Sequence, residues 1–409
     1  MRILILSQWF DPEPAIKGLA FAKALHARGH EVQVLTGFPN YPGGTVYPPY
    51  RIRWRQRESF DGVEVIRVPL YPSHSRSVLG RMTNYLTFAL SAAVLGPWLT
   101  RRADVTYVYH PPGTIALPAI VLRLLKGTPY VFDIADLWPD SLAATGMARQ
   151  AAVVRLLGWW CQVAYRLAAK VVATSPGYVP CLIARGVPAA KLEVIHNWCD
   201  EEQIGSPHST PEARQALGFD GRFNVVFAGN MGSAQALDSV LDAAALAASD
   251  VPDAHFIFIG GGIDAAGLEQ RAQARALHNV TFLPRRPFAE IGAVLAQAEV
   301  LLVHLADRPL FRMTTPSKIQ AYLYMGKPIL AAVRGDAADL VERAGAGMVC
   351  EPESPASLCD AIRRLAAMPA EELRGAGTRG REFYLRELSM NVGVQRFEKM
   401  FESVIRHAH

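Results

Sequence analysis

Cysteine is scarce in this chain, and what there is follows no pattern. Cys161, Cys181, Cys199, Cys350 and Cys359 make an odd number with no Cys-x-x-Cys pair. That excludes a disulfide framework or zinc knuckle and points to a reducing compartment. Net charge is also small. At +5, with a pI near 8.9, the chain tolerates an anionic partner such as a nucleotide or a membrane surface but makes no case for nucleic acid. The most apolar stretch, residues 85–99, contains Pro97 and falls short of the roughly 20 residues that span a bilayer. The opening MRILILSQWF carries one arginine and a brief apolar core, which reads as a first strand rather than a signal peptide. No stretch has metal-ligand spacing. What is present is a globular composition, half apolar and 19% charged. Its 409 residues suit two domains of roughly 200 residues each.

The chain is organised around residues 223–238, FNVVFAGNMGSAQALD. A Val- and Phe-rich run stops at a turn with Gly229 and Gly232, then helical periodicity restarts. A helix start beyond a strand end, with free N–H groups and a positive dipole, can seat a phosphate or diphosphate. Such turns also occur where nothing binds. The first strand, 2–7, leads through a loop with Lys17 and Gly18 into a helix at 19–28 and a second strand at 31–36, a βαβ unit. Gly18 is therefore either a second phosphate seat or a plain helix entry. The segment 38–50, FPNYPGGTVYPPY, is a long loop on the ligand side of such a sheet or a surface flap.

Residues 85–99, flanked by Arg81, Arg101 and Arg102, read more simply as a buried helix than as one offering apolar surface to an anionic membrane. Strands at 104–110 and 130–134 end at His110 and at the acidic run FDIADLWPDSL, with Asp133, Asp136, Trp138 and Asp140 on the expected binding edge. An isolated Asp there is ordinarily a helix cap, but three within eight residues favour a site. Periodicity lapses over 197–211, the expected linker between domains at 1–196 and 212–388. Residues 389–409 form a last helix able to cross back to the first domain. In the second half, Gly260-Gly261-Gly262 is a close-approach turn, and Thr314-Thr315-Pro316-Ser317-Lys318 opens a helix with residues suited to capping or to phosphate. Two helix starts would then converge on one cleft.

The strings FAGNMGSAQALD, DIADLWPDSL, TPSKIQAYLYMGKPI and HARGHEVQVLTGFPNYP, taken in order, resemble the retaining glycosyltransferases of glycosyltransferase family 4. They are most similar to the N-acetyl-L-fucosamine and colanic acid transferase branch of bacterial polysaccharide assembly. The resemblance implies an α/β fold of the GT-B kind, two Rossmann-like doubly wound parallel-sheet domains facing across a cleft. It implies a nucleotide-sugar donor, UDP-linked, whose diphosphate is placed by Gly229, Asn230, Gly232 and Gln235 and approached by Gly18. Ribose and sugar contacts fall on Thr315, Ser317 and Lys318, and uracil contacts near Arg285. The first domain would hold the acceptor, at His110, Asp133 and Trp138.

The departures from the family matter. The paired glutamates of many members are replaced by Met313 and Ala321, leaving Gln320 or backbone N–H groups for the ribose. The usual Arg and Lys fall near Asn230 and Gln235, and a frequent histidine falls at Ala135, while Asp136 remains. Lys318 becomes the cation that offsets the diphosphate, since an uncompensated diphosphate would be costly. The expected chemistry is metal-independent, cofactor-free transfer of a sugar, N-acetylated, to a glycan or polyprenyl-diphosphate-linked acceptor. Lys318 stabilises the leaving group and Asp136 orients the sugar or takes the acceptor proton. The setting is cytoplasmic, peripheral to the inner membrane. A sugar-nucleotide-binding scaffold, favoured by the missing glutamates, and a UDP-sugar 2-epimerase are the alternatives.

Overall fold

The computed structural model describes residues 1–73, 78–144, 150–205 and 208–407. They form two compact units, residues 1–196 together with 393 onward, and residues 197–392. The first unit runs β1 (Arg2–Ser7), α1 (Leu19–Ala27), β2 (Glu31–Gly37), β3 (Gln56–Phe60), β4 (Val63–Val68), α2 (Val78–Leu99) and β5 (Val105–His110). It continues with α3 (Ala116–Lys126), β6 (Tyr130–Ile134), α4 (Asp140–Ala144), α5 (Ala151–Leu167), β7 (Lys170–Ala173), α6 (Tyr178–Ala184) and β8 (Leu192–Val194). Its sheet has the order β3-β4-β2-β1-β5-β6-β7-β8. All pairs are parallel except β3 with β4. β1, β5 and β6 are buried along almost their whole length, as strands covered on both faces must be. The antiparallel β3, QRESF, escapes a sequence reading because an edge strand needs no apolar run.

The second unit runs α7 (Glu201–Ile204), α8 (Pro211–Leu217), β9 (Phe223–Asn230), α9 (Asp238–Asp250), β10 (Ala254–Gly261), α10 (Ala265–Ala274), β11 (Val280–Pro284) and α11 (Phe288–Leu295). Then come β12 (Val300–His304), α12 (Pro309–Arg312), α13 (Ser317–Tyr324), β13 (Ile329–Ala332), α14 (Asp336–Arg343), β14 (Gly347–Cys350), α15 (Pro355–Ala366) and α16 (Ala370–Glu387). The sheet, β11-β10-β9-β12-β13-β14, is wholly parallel, so each unit has the expected doubly wound α/β form. β14, α15 and α16 are absent from the sequence reading: β14 has only four residues, and α16 is largely polar. The last helix, α17 (Met390–Arg406), packs on the first unit. Phe397 meets Phe21 and Tyr107 edge to face at 5.3 Å each, and Glu398 binds Arg28 and His30.

Two expectations change here. The expected linker contains one capped helix, α7, and the cap of the next, α8: Asp200 Oδ1 accepts from Gln203 N, and Thr210 Oγ1 from Ala213 N. Glu201 also ties the segment to its own unit, accepting from Tyr384 Oη at 2.7 Å and Met390 N at 2.8 Å. Residues 206–207 of that linker, and 408–409 of the C-terminal segment, lie outside the described residues. The apolar stretch at 85–99 belongs to the 22-residue α2 and is not simply a buried helix. Tyr85, Phe88, Ala92 and Leu95 face inward, whereas Leu86, Leu90, Val94 and Trp98 face water.

Strand order reverses direction between β1 and β5 and between β9 and β12, and in open α/β sheets ligands bind at the C-terminal ends of such strands. The loops 8–18 and 229–237 therefore occupy the binding positions of their units.

Candidate active site

In the second unit the site is built on the end of β9. Gly229 has φ +139°, and the register aligns it with Gly260 of β10 and Pro284 of β11. Gly260 and Gly262 have φ of +138° and +154°, and a Cβ at either would collide with the carbonyl of Gly229 or Met231. The glycine triplet is thus a packing requirement of two strand ends. Beyond Gly229 the chain does not enter a long helix directly. A single 3₁₀ turn, Ser233–Gln235, intervenes, and α9 opens with Asp238, which pairs with Arg271. Gln235 Oε1 accepts from Gly232 N at 3.2 Å and closes the turn. His304, at the end of β12, donates from Nδ1 to Gln235 O at 2.7 Å and accepts at Nε2 from Glu353 N at 3.3 Å. Burial holds that imidazole below its ordinary pKa, so it is neutral scaffolding for the turn.

Lys318 sits in the first turn of α13, where no side chain caps the helix. One turn on, Tyr322 Oη accepts from Ala228 N at 3.0 Å, which fixes α13 against the end of β9. Lys318 Nζ lies 3.7 Å from the centroid of Phe227, and a Cβ on Gly229 would be 3.4 Å from it. The nitrogen is sealed from solvent and has no hydrogen-bond partner among the described residues. Desolvation pushes it down to about 7. A buried ammonium without a counter-charge is costly, and an anion at Gly229 would relieve it.

In the first unit, loops after β1 and β2 are bound together by Glu13. Its carboxylate accepts from the amides of Asn40 and Tyr41 at 2.7 Å and of Phe10 at 3.1 Å. Burial pushes Glu13 up to about 7 despite those bonds. Trp9 stacks on Tyr41 at 4.7 Å and meets Tyr85 edge-on at 6.1 Å. Asp136, just past β6, is exposed, yet desolvation by the surrounding protein raises its carboxyl above the usual range. It lies within electrostatic reach of Tyr85 and Tyr109. Arg81, near the start of α2 and close to Tyr85, has a buried Nε with no partner among the described residues. This edge therefore combines aromatic faces, a carboxylate and a cation, the groups that hold a sugar.

Residues 19–198 match the model of the glycosyl transferase 4-like domain, and residues 222–368 that of glycosyl transferases group 1. The chain is a GT-B glycosyltransferase of the family 4 kind. It is 27% identical over 388 residues to the colanic acid biosynthesis glycosyl transferase WcaI of Escherichia coli, covering 90% of this chain and 93% of that one. The glycosyltransferase WbjE of Pseudomonas aeruginosa is 25% identical, over 67% of this chain and 69% of its own. Among solved structures, Anabaena HepE in complex with UDP superposes with a TM-score of 0.70 at 17% identity, covering 98% of this chain and all of HepE.

The transferase distributes the expected residues unevenly. Gly229, Asn230, Gly232, Gln235 and Lys318 form one constellation. Thr315, half-buried, and Ser317, exposed, stand at the α13 entry. Arg285 is exposed just past β11, two strands over, about 10 Å away by strand spacing. Gln320 is a correction: only 1% exposed, its amide faces the carbonyls of Pro316 and Ser317, to which it donates at 2.9 and 3.1 Å once its nitrogen is the atom turned toward them, so it is not offered to a ribose.

Gly18 is a second correction. Asp11 Oδ2 already accepts from Leu19 N at 2.7 Å, and a Cβ on Gly18 would strike that carboxylate. The glycine serves an internal cap, and the phosphate seat there is withdrawn. Asp133 is a third, being wholly buried, paired with Lys17 at 2.5 Å and accepting from Tyr107 Oη at 2.6 Å. It cannot hold an acceptor. His110 and Trp138, 1% and 4% exposed, pack edge to face at 5.4 Å beneath the surface, and burial pushes His110 down to about 3. They brace the edge without lining it.

Sequence reasoning overlooked Trp9, Tyr41, Glu13, Arg81 and His304. Trp9 and Tyr41 carried a usable signal, since both follow strands whose ends face the ligand side. No group of three or more His, Cys, Asp or Glu among the described residues could hold a metal. A cavity of about 650 Å³ beside β13 and β14, lined by Arg312, Arg334, Asp339 and Arg364 among others, shares no residue with the Gly229–Lys318 constellation.

Proposed function

We propose that this transferase moves a sugar, N-acetylated, from a UDP-linked donor to a polysaccharide or lipid-linked acceptor in bacterial surface-glycan assembly, with retention at the anomeric carbon. The observation that carries the reading is the sealed, unpartnered Lys318 ammonium beside Gly229. A donor diphosphate placed on the 229–235 turn supplies the missing negative charge, and charge built on the leaving nucleoside diphosphate strengthens that contact in the transition state. Lys318 and the uncapped start of α13 do this work without a metal. Asp136 orients the sugar or accepts the acceptor proton, and Trp9 and Tyr41 offer faces for an acceptor ring. The names of WcaI, from colanic acid synthesis, and of HepE in complex with UDP support the pathway and the nucleotide. The setting we propose is cytoplasmic, peripheral to the membrane that carries the acceptor.

The test is calorimetry and thermal shift with UDP, GDP, ADP and a panel of UDP-sugars, with and without EDTA. Selective stabilisation by UDP and one UDP-sugar, unchanged by EDTA, is expected. Failure of every uridine nucleotide to bind would overturn the donor assignment.

A further inference from the structure

Four helices of the first unit share one surface. The connections β4→β5, β5→β6, β6→β7 and β7→β8 all step the same way along the sheet. Right-handed crossovers therefore lay α2, α3, α5 and α6 on the same face, and α2 packs on α3 and α3 on α5. α2 is long and apolar enough to cross a membrane by length and composition, but its inner side, with Tyr85, Phe88, Ala92 and Leu95, is buried in the unit. Its outer side carries Leu86, Leu90, Val94 and Trp98, the last 84% exposed. The neighbouring helices continue the apolar surface through Leu124 and Leu125 on α3 and Leu156 and Trp159 on α5, each more than half exposed. Scattered exposed leucines are ordinary, but a run across adjacent helices marks an interaction surface.

Charge selects the occupant. α2, α3, α5 and α6 contain no Asp or Glu at all. Exposed cations stand on or beside the patch, Arg155 on α5 and Arg102 just after α2. Two copies laid face to face would oppose arginine to arginine, whereas an anionic surface would match both the apolar area and the charge.

We propose that the face formed by α2, α3, α5 and α6 docks on an anionic lipid bilayer, the helices lying in the interface with Trp98 and Trp159 at headgroup depth. Indole rings favour that depth, with an apolar body below and an N–H at the wet side. The inference stands on the first unit's surface alone and does not depend on the donor or the reaction.

The experiment uses the full chain with vesicles of phosphatidylethanolamine and phosphatidylglycerol, against vesicles of phosphatidylcholine only. Co-sedimentation with the anionic vesicles that weakens with salt is expected, together with quenching of tryptophan fluorescence by brominated acyl chains. Leu90→Asp with Trp98→Asp should weaken binding by at least about tenfold, and Arg102→Glu with Arg155→Glu by a comparable factor. Unchanged thermal unfolding and an unchanged response to UDP would show these variants intact, and their turnover of a water-soluble acceptor should equal that of the wild type. No binding at low salt, or binding the variants leave untouched, would overturn the proposal. So would self-association that Trp98→Asp abolishes, since the face would then be an interface between copies.

Discussion

Two lysines, one in each unit, hold a buried ammonium beside a strand-end glycine loop, and they differ in one respect that decides their roles. Lys17, adjoining Gly18, is fully enclosed and paired with Asp133, which also accepts from Tyr107 Oη, while Phe397 of α17 lies 5.0 Å from its ammonium. Lys318, adjoining Gly229, is half-buried along its chain, but its ammonium is shielded from water and has no such partner among the described residues. Carboxylates follow the same division. Asp133 is locked in the Lys17 pair, whereas for Asp136, three residues on, desolvation is the one cause of its shift. A buried charge with its counter-charge in place holds a fold together; one without it is arranged for something that arrives later.

Removing the partner from the closed pair should have the largest effect. Lys17→Met leaves Asp133 buried without a cation and is expected to lower stability by about 3–5 kcal/mol, read by urea denaturation. Lys17→Met combined with Asp133→Asn should recover part of that loss. A wild-type denaturation curve for Lys17→Met would mean the pair is not structural.

For the open carboxylate the expected outcome is reversed. Asp136→Asn should leave the denaturation curve and donor affinity where they are and lower kcat by about 10²–10⁴, the usual weight of a general base. Full turnover in Asp136→Asn would remove the residue from the chemistry.

Lys318→Met tests the open cation. Donor affinity should fall by roughly 10- to 100-fold, the worth of one charge-assisted contact, while ligand-free stability holds or rises because an uncompensated charge is gone. Loss of folding instead would place Lys318 in the same class as Lys17.

The smallest effect is a pH dependence. Because burial lowers Lys318 from 10.5 to about 7, the ligand-free fold favours its neutral form. Its contribution to stability is complete above pH 10.5 and is lost as pH falls through about 7. Binding a diphosphate favours the charged form, so affinity for a UDP-sugar, whose diphosphate does not itself titrate there, should decline as pH rises above about 7. The slope is at most about tenfold per unit, and Lys318→Met should abolish it.

The units also differ in the surfaces they show. Among the described residues, fifteen large apolar side chains are exposed in the first unit and four in the second, and twelve of the fifteen lie on α2, α3, α5 and α6. Reversing Arg102 and Arg155 tests whether that asymmetry serves a lipid surface.

Much of the fold could be read from the chain because its signals are local. Alternating apolar runs and helical periods mark parallel strands and crossovers, and glycines at 229 and 232 mark a turn within four residues of each other. The edge strand β3 and the short β14 were illegible for the same reason: pairing at an edge asks little of the side chains. In the site, residue type and strand-end position directed attention to Gly229, Asn230, Gly232, Lys318 and Asp136. Position alone gave Asp133 and Asp136 the same standing, and likewise Gly18 and Gly229.

Sequence by itself determined the α/β class, the glycine turn, the family motifs and the absence of acids from four helices, since each is a property of residue type and spacing. Tertiary structure decided which charges are answered. Asp11 reaches Leu19 across eight residues, Lys17 reaches Asp133 across 116, and Gln320 turns inward on its own helix start, while among the described residues no hydrogen-bonding atom reaches the ammonium of Lys318. Partnership of that kind depends on distances between segments remote in sequence, and only the folded chain sets them.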